Sequence, residues 1–157
     1  MLKSIKCEMQ LRLHNFLRFF YFAIMLMMSG AAQTEEALPN HDIVLFDLTQ
    51  QGETFRLANP QIVAASPGYD NQPQFSGDGR SIYFTRMEKG NADIWLWDPQ
   101  VKVKTRKLTN TAKTSEYSPT PLPFDKGSIA TVRVEEDGTQ RLWRYDPKVG
   151  FSLLFDK

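Results

Sequence analysis

Residues 69–99 read YDNQPQFSGDGRSIYFTRMEKGNADIWLWDP, and residues 117–147 read YSPTPLPFDKGSIATVRVEEDGTQRLWRYDP. Tyr69, Pro73, Gly79, Gly90, Trp95, Asp98 and Pro99 fall on Tyr117, Pro121, Gly127, Gly138, Trp143, Asp146 and Pro147, at an offset of 48 each time. Ile82 against Ile129 slips by one residue, and Gly138 recovers the spacing. A half copy comes earlier. DIVLFDL at 42–48 and FRLAN at 55–59 match DIWLWDP at 93–99 and RKLTN at 106–110, at an offset of 51. Short strands repeating at this period mark a repeat architecture, above all the β-propeller.

Each unit reads as four strands. The first lies around Pro73–Ser76. A Gly-Asp-Gly turn follows and supplies the positive φ of a tight hairpin. The second is Ser81–Met87, rich in β-branched and aromatic residues. Lys89–Asn91 turn the chain. The third is Asp93–Asp98, closed by Pro99, which has no N–H for a ladder. The fourth is Thr105–Thr109. In the third strand Ile94 and Leu96 alternate with Trp95 and Trp97. Both faces are apolar and both need cover, which a blade between two other blades receives. The half copy supplies only third and fourth strands, Asp42–Leu48 and Thr54–Ala58. The fold class expected is all-β: blades of four antiparallel strands, about two and a half of them, an incomplete propeller preceded by a signal-peptide helix. The organisation expected is a signal peptide over 1–32 and a partial propeller over 33–157, with a half blade at 41–59 and blades at 69–110 and 117–157.

The first 32 residues differ from the rest. Lys3, Lys6, Arg12 and Arg18 precede the apolar run Phe19–Met28, then SGAAQ. A basic start, a short apolar core and small residues describe a secretory signal peptide. Ten apolar residues are too few to span a bilayer as a helix. Cleavage is expected after Ala32, an uncleaved anchor being the alternative, and Met9 is a second candidate start. The single cysteine, Cys7, lies in this segment, so the mature chain forms no disulfide. Of 19 basic and 18 acidic residues the segment takes four and one, leaving 15 against 17. That balance argues against a nucleic-acid partner. The dense basic stretch Lys102–Lys107 alternates with Val103 and Thr105, as the solvated face of an outer strand does.

Closed propellers have typically four or more blades, so the chain is expected to be the front part of a longer propeller. A dimer that completes a ring and a gene remnant without stable function are the other readings.

QPQFSGDGRSIYFTR and ADIWLWD, followed by RKLTN, resemble the TolB-like propeller repeat. The pattern is carried by Pro73, Phe75, Ser76, Asp78, Gly79, Gly90, Asp93, Ile94, Trp95, Leu108 and Thr109. The second copy departs from it, with Pro123 where Phe75 stood and Gln140 where Asp93 stood. The stretch 41–157 also resembles secreted bacterial TolB-like proteins through YDNQPQFS, SEYSPT and VRVEEDGTQRLWR. The resemblance implies a propeller, a periplasmic or secreted location and envelope-protein contacts. Most recurring residues in such repeats are structural, and Trp95, Trp97 and Trp143 are expected to pack between blades rather than to hold a sugar or other ligand.

Signals of catalysis are few. His41 is the only histidine after the leader, no Cys follows it, and no Gly-x-Ser-x-Gly elbow offers a nucleophile. No His-Glu-x-x-His or Cys-x-x-Cys spacing suggests zinc. Ser76–Gly79 approaches the Asp-box of sialidases but has Arg80 where the box needs glycine. Glu135, Glu136 and Asp137 form an acidic loop, with Glu116 on another loop. Paired carboxylates serve glycoside hydrolysis or hold Ca²⁺, but three acids before a glycine are more often a solvated turn. No catalytic residue, metal ligand or cofactor is therefore assigned.

In a propeller, loops from the fourth strand of one blade to the first of the next share a face with second-to-third-strand loops, and scaffold-held loops favour binding. This places Tyr69, Asp70, Asn71, Gln72, Glu116, Tyr117 and Ser118 as candidate partner-binding residues, with Tyr69 and Tyr117 equivalent. The function expected is a non-catalytic exported module that binds an envelope protein or peptide. The alternative is the propeller part of an exported hydrolase, a prolyl-oligopeptidase-like peptidase or a glycosidase. No nucleic-acid partner and no membrane span in the mature chain are expected. Self-association is expected through open blade edges, with Val44 and Phe46 exposed at one end and Trp143 or Tyr145 at the other.

Overall fold

Among the described residues ten strands form. In chain order they are β1 (Ile43–Gln51), β2 (Thr54–Ala64), β3 (Asp70–Phe75), β4 (Ile82–Glu88), β5 (Asn91–Trp97), β6 (Thr105–Lys107), β7 (Ser115–Pro121), β8 (Ile129–Val134), β9 (Gln140–Asp146) and β10 (Gly150–Leu153). The computed structural model describes residues 40–155, all within the unit Ala37–Lys157. The expected signal-peptide helix lies outside the described residues. Among the described residues no helix is long and apolar enough to cross a membrane.

The strands make three antiparallel sheets. β3-β4-β5-β6 and β7-β8-β9-β10 are up-and-down blades of four, and β1-β2 is a hairpin. The class is all-β, with four-stranded blades and an incomplete ring. A two-residue turn joins β4 to β5. Glu88 pairs with Asn91, and the two residues between, Lys89 and Gly90, have φ of 54° and 80°. Positive φ at both central residues is the type I′ geometry that matches strand twist. The strand expected to end at Ala58 instead runs on to Ala64. Register shifts between Ile43 and Val44 and between Leu45 and Asp47 absorb the extra residues as bulges.

The base of the hairpin and the first blade share the core. Ile43, Val63 and Ala64 pack with Ile82, Phe84 and Trp97, with Leu45 and Trp95 at the margin. Phe84 and Ile94 are fully buried, and each such side chain contributes roughly 1.5–3 kcal/mol of burial free energy. β7 lies against β3, β4 and β5, which covers the other face of the first blade. Both faces of the third strand are thus covered as the alternation requires. Trp97 is buried, whereas Trp95 and Trp143 are half-buried. Their exposed sides are stacked by arginines, Arg86 at 4.6 Å from the Trp95 ring and Arg133 at 5.0 Å from that of Trp143.

The pairing corrects the repeat alignment. Asp70 pairs with Arg86 in the first blade, and Glu116 with Arg133 in the second. Ile82 pairs with Trp97, and Ile129 with Tyr145. The spatial offset is therefore 46 on first strands, 47 on second strands and 48 on third strands. The second blade has one more residue in each of its first two turns. Tyr117 consequently corresponds to Asn71, not to Tyr69. Letter matching carried the offset of 48 from the third strands back to the tyrosines because it could not see the two single-residue insertions that follow Tyr117.

Candidate functional site

The residues singled out from sequence do not sit on loops. Asp70, Asn71 and Gln72 open β3, while Glu116, Tyr117 and Ser118 lie in β7. Only Tyr69 precedes its strand, where it bridges to His41 and meets its ring edge-on at 5.6 Å. Gln72 and Ser118 have φ of 54° and 53°. They occupy the same place in the two blades, each inside a register shift of the first strand. Positive φ at non-glycine residues is uncommon, and here it lets the first strand bulge. Gln72 Oε1 accepts hydrogen bonds from Thr85 Oγ1 at 3.0 Å and from the Ser118 N–H at 2.9 Å. It straps one blade to the next.

The two candidate acids are spent inside the fold. Asp70 is 1% exposed. It accepts from Arg86 Nε at 2.6 Å and Arg86 Nη2 at 3.1 Å, and from the Ser66 N–H and hydroxyl. Glu116 is fully buried and accepts from the hydroxyls of Thr111 and Thr114. Arg133 Nε stands 3.3 Å from it, without the alignment of a hydrogen bond. Burial pushes the Glu116 carboxyl above its usual pKa, and this outweighs the threonines and Arg133, which act the other way, while nearby Asp93 adds to the rise. Each blade thus carries a carboxylate–arginine–tryptophan stack at one position. Asp93, 2% exposed, is likewise tied, to Thr109 Oγ1, the Thr111 N–H and Lys107. Burial works against the Lys107 charge, but hydrogen bonds to Asp93 and Glu88 hold its pKa above the usual value.

Among the described residues two surface hollows are of note. One, about 320 Å³, is lined by Thr114, Arg133, Glu135, Glu136, Asp137 and Trp143. Its acids are already engaged. Glu135 accepts from Arg141 Nη1 at 2.7 Å and Trp143 Nε1 at 3.1 Å. Glu136 pairs with Lys113. Asp137 is held below its usual pKa by the backbone N–H and side chain of Thr139. Among the described residues no group of three or more His, Cys, Asp or Glu converges as a metal site.

The other hollow is a cleft of about 940 Å³ between the two blades. It lies at the opposite end of β3 and β7 from the residues chosen by sequence. Phe75, Tyr83 and Leu96 form one wall and Pro121, Leu122 and Pro123 the other. Ser76, Asp78, Lys126 and Ser128 supply polar groups. The Ser76 hydroxyl donates to Asp78 at 2.6 Å, and this bond, with the Arg80 N–H, lowers the Asp78 pKa. Burial raises that of Tyr83. Phe75 is 50% exposed and faces open space. An apolar cleft with a few polar groups, of this volume, suits a ligand or a chain segment. Sequence reasoning passed over these residues because they fell in the structural repeat. The signal was the departure of the second copy, Pro121-Leu122-Pro123, opposite Phe75 of the first.

No family model matches the sequence, and no curated protein matches it. Solved structures do match the fold. A TolB structure from Agrobacterium tumefaciens superposes with a TM-score of 0.53 at 18% identity, over 77% of this chain and 50% of that one. TolB from Acinetobacter baumannii gives 0.50 at 19% identity, over 73% of this chain and 30% of that one. The chain therefore matches half the length of the first and less than a third of the second. At such identities the likeness is one of fold, and the ten strands are a partial β-propeller of TolB-like fold.

Proposed function

We propose that the chain is a non-catalytic, exported binding module of propeller type whose inter-blade cleft takes an extended segment of an envelope protein or a peptide. The observation that carries this reading is the cleft of about 940 Å³, walled by Phe75, Tyr83, Leu96 and the Pro121–Pro123 run. Its apolar walls and sparse polar groups suit side-chain anchors. The buried carboxylates Asp70, Asp93 and Glu116 are engaged by arginine, lysine and threonine, and so are poor general acids or bases. The TolB-like fold and the basic, apolar and small-residue order of the leader support an envelope partner and a periplasmic or secreted location.

The test is selection of random peptides on the immobilised protein, followed by affinity measurement on the variants Phe75→Ala and Leu122→Ala. Both should weaken the selected peptides by about tenfold or more, with an unchanged circular dichroism spectrum. Peptides that bind all forms equally would place binding elsewhere. Cleavage of a selected peptide by the protein would overturn the non-catalytic assignment.

A further inference from the structure

The β1-β2 hairpin is two-faced. Directly opposed residues share a face, so the pairs Val44–Ile62 and Leu48–Leu57 and the residue Phe55 lie together, with Phe46 between Val44 and Leu48. All six are exposed, from 41% at Val44 to 67% at Ile62. The only other side chain that the paired positions add to this face is Gln50, opposite Phe55, and it is uncharged. The opposite face carries Ile43 and Leu45 at the base, where it docks on the first blade. Toward the tip it carries Asp47, Thr49, Arg56 and Thr54. The polar side chains thus crowd the face that is partly docked, and the apolar face stands in water along its whole length.

Two-stranded hairpins are marginal alone and require a packed face. The six side chains leave roughly 500–600 Å² exposed, taking about 150–250 Å² for a whole aromatic side chain as the scale. That is the upper end of the largest apolar patch on a typical monomer, about 300–600 Å². Two such faces together bury roughly 1,000–1,200 Å², which reaches the threshold of a specific interface.

We infer that this face is covered by the same face of a second copy of the chain, related by a twofold axis. Two hairpins then stack as a small β-sandwich, with Leu48, Leu57 and Phe55 interdigitating across a spacing of about 10 Å. The face suits its own copy because it carries no charge, so a twofold brings no like charges together. The outer face of the second blade is a poorer match. It presents Arg144 with its partners Asp125 and Asp146, and burying that network against an apolar hairpin would strip charged groups of water. The ends of the molecule are therefore unlike. Val44 and Phe46 are exposed, whereas the other pair expected to be exposed, Trp143 and Tyr145, is half-buried against the first blade, where the Tyr145 hydroxyl donates to the Leu108 carbonyl at 2.7 Å.

Sedimentation velocity of the full chain tests this. The wild type should show a reversible monomer–dimer equilibrium with a dissociation constant in the micromolar range. Leu48→Lys and Phe55→Lys place two like charges at the centre of the twofold interface. Each should weaken the dimer by about a hundredfold or more, with circular dichroism unchanged because both sites are exposed. Thr49→Lys, on the opposite face, should leave the dimer intact. A wild type that stays monomeric at tens of micromolar would overturn the inference and assign the face to a different protein. A dimer indifferent to Leu48→Lys and Phe55→Lys would overturn it as well, as would open-ended growth in size, the mark of strand addition at an edge.

Discussion

Asp70 and Glu116 hold the same place in successive blades, each beside the arginine of the next strand, yet removing their charges should have unequal costs. Asp70→Asn removes the counter-charge of Arg86, whose side chain is 13% exposed. The amide keeps one acceptor oxygen but sets an NH2 donor where the other carboxylate oxygen accepts, so at least one of the two aligned bonds, at 2.6 and 3.1 Å, is lost, of a kind worth about 1.5–3 kcal/mol. Breaking a buried pair from one side costs about 3–5 kcal/mol. That is a large part of the ~5–15 kcal/mol that holds a domain together. Glu116→Gln loses a 3.3 Å ion pair that lacks hydrogen-bond alignment. It keeps an acceptor for the threonine hydroxyls, and it relieves a carboxylate that burial already disfavours. Its cost should stay below about 1.5 kcal/mol, the scale of one neutral hydrogen bond. Urea unfolding followed by the fluorescence of Trp95, Trp97 and Trp143 measures both, with the slope checked for constancy. Equal losses in the two variants would refute the distinction between an aligned and an unaligned clasp. So would a loss below about 1 kcal/mol for Asp70→Asn, since it would mean that Arg86 finds water or another partner.

Further outcomes follow from the same geometry. Because burial raises the Glu116 pKa above its usual 4.5, the folded state holds its proton longer than the unfolded chain. Its contribution to stability is full below 4.5 and is lost as the pH rises through the folded value; Glu116→Gln should flatten that slope in unfolding measured across pH. Asp78, Asp125, Asp137 and Asp146 act oppositely, for hydrogen bonds lower each pKa below 3.8, so their contribution is lost only as the pH falls through those lowered values. Gln72→Ala removes the acceptor shared by Thr85 and Ser118 and should cost about 1–3 kcal/mol, for it leaves the part-buried Thr85 hydroxyl unpaired; an unchanged melting temperature would mean that the strap is not needed. Gly90→Ala meets no neighbouring atom within 4 Å but forces alanine to φ +80°, so it should lower stability by about 1 kcal/mol or more in thermal unfolding.

The strands were legible in the sequence because their signals are local. Alternation in IWLW reports two covered faces through neighbours two residues apart. Gly79, Gly90 and Gly138 report turns because only a few residues tolerate positive φ. Aromatic and β-branched runs report strand interiors. The blade of four strands follows from these alone, and with it the all-β class. The expectation of a signal peptide over 1–32 rests on an equally local signal, a charge pattern beside an apolar run, and lies outside the described residues.

Tertiary structure decided the rest, because the rest depends on what lies across a gap. Two single-residue insertions shift the second blade from 48 to 46 on its first strand, and no letter records which strand absorbs them; only the pairing of Glu116 with Arg133 does. Asp70 and Glu116 read as free acids until Arg86, Ser66, Thr111 and Thr114 arrive from other segments to use their lone pairs. The cleft exists only where the end of β3 meets the end of β7, 46 residues apart along the chain. The exposed apolar side of the β1-β2 hairpin, with Val44 and Phe46, is expected from the half copy, but not that Trp143 and Tyr145 at the other end are half-buried, with the Tyr145 hydroxyl donating to the Leu108 carbonyl. Burial is a property of the neighbours a chain acquires on folding, and a sequence states which faces need cover without stating which of them receive it.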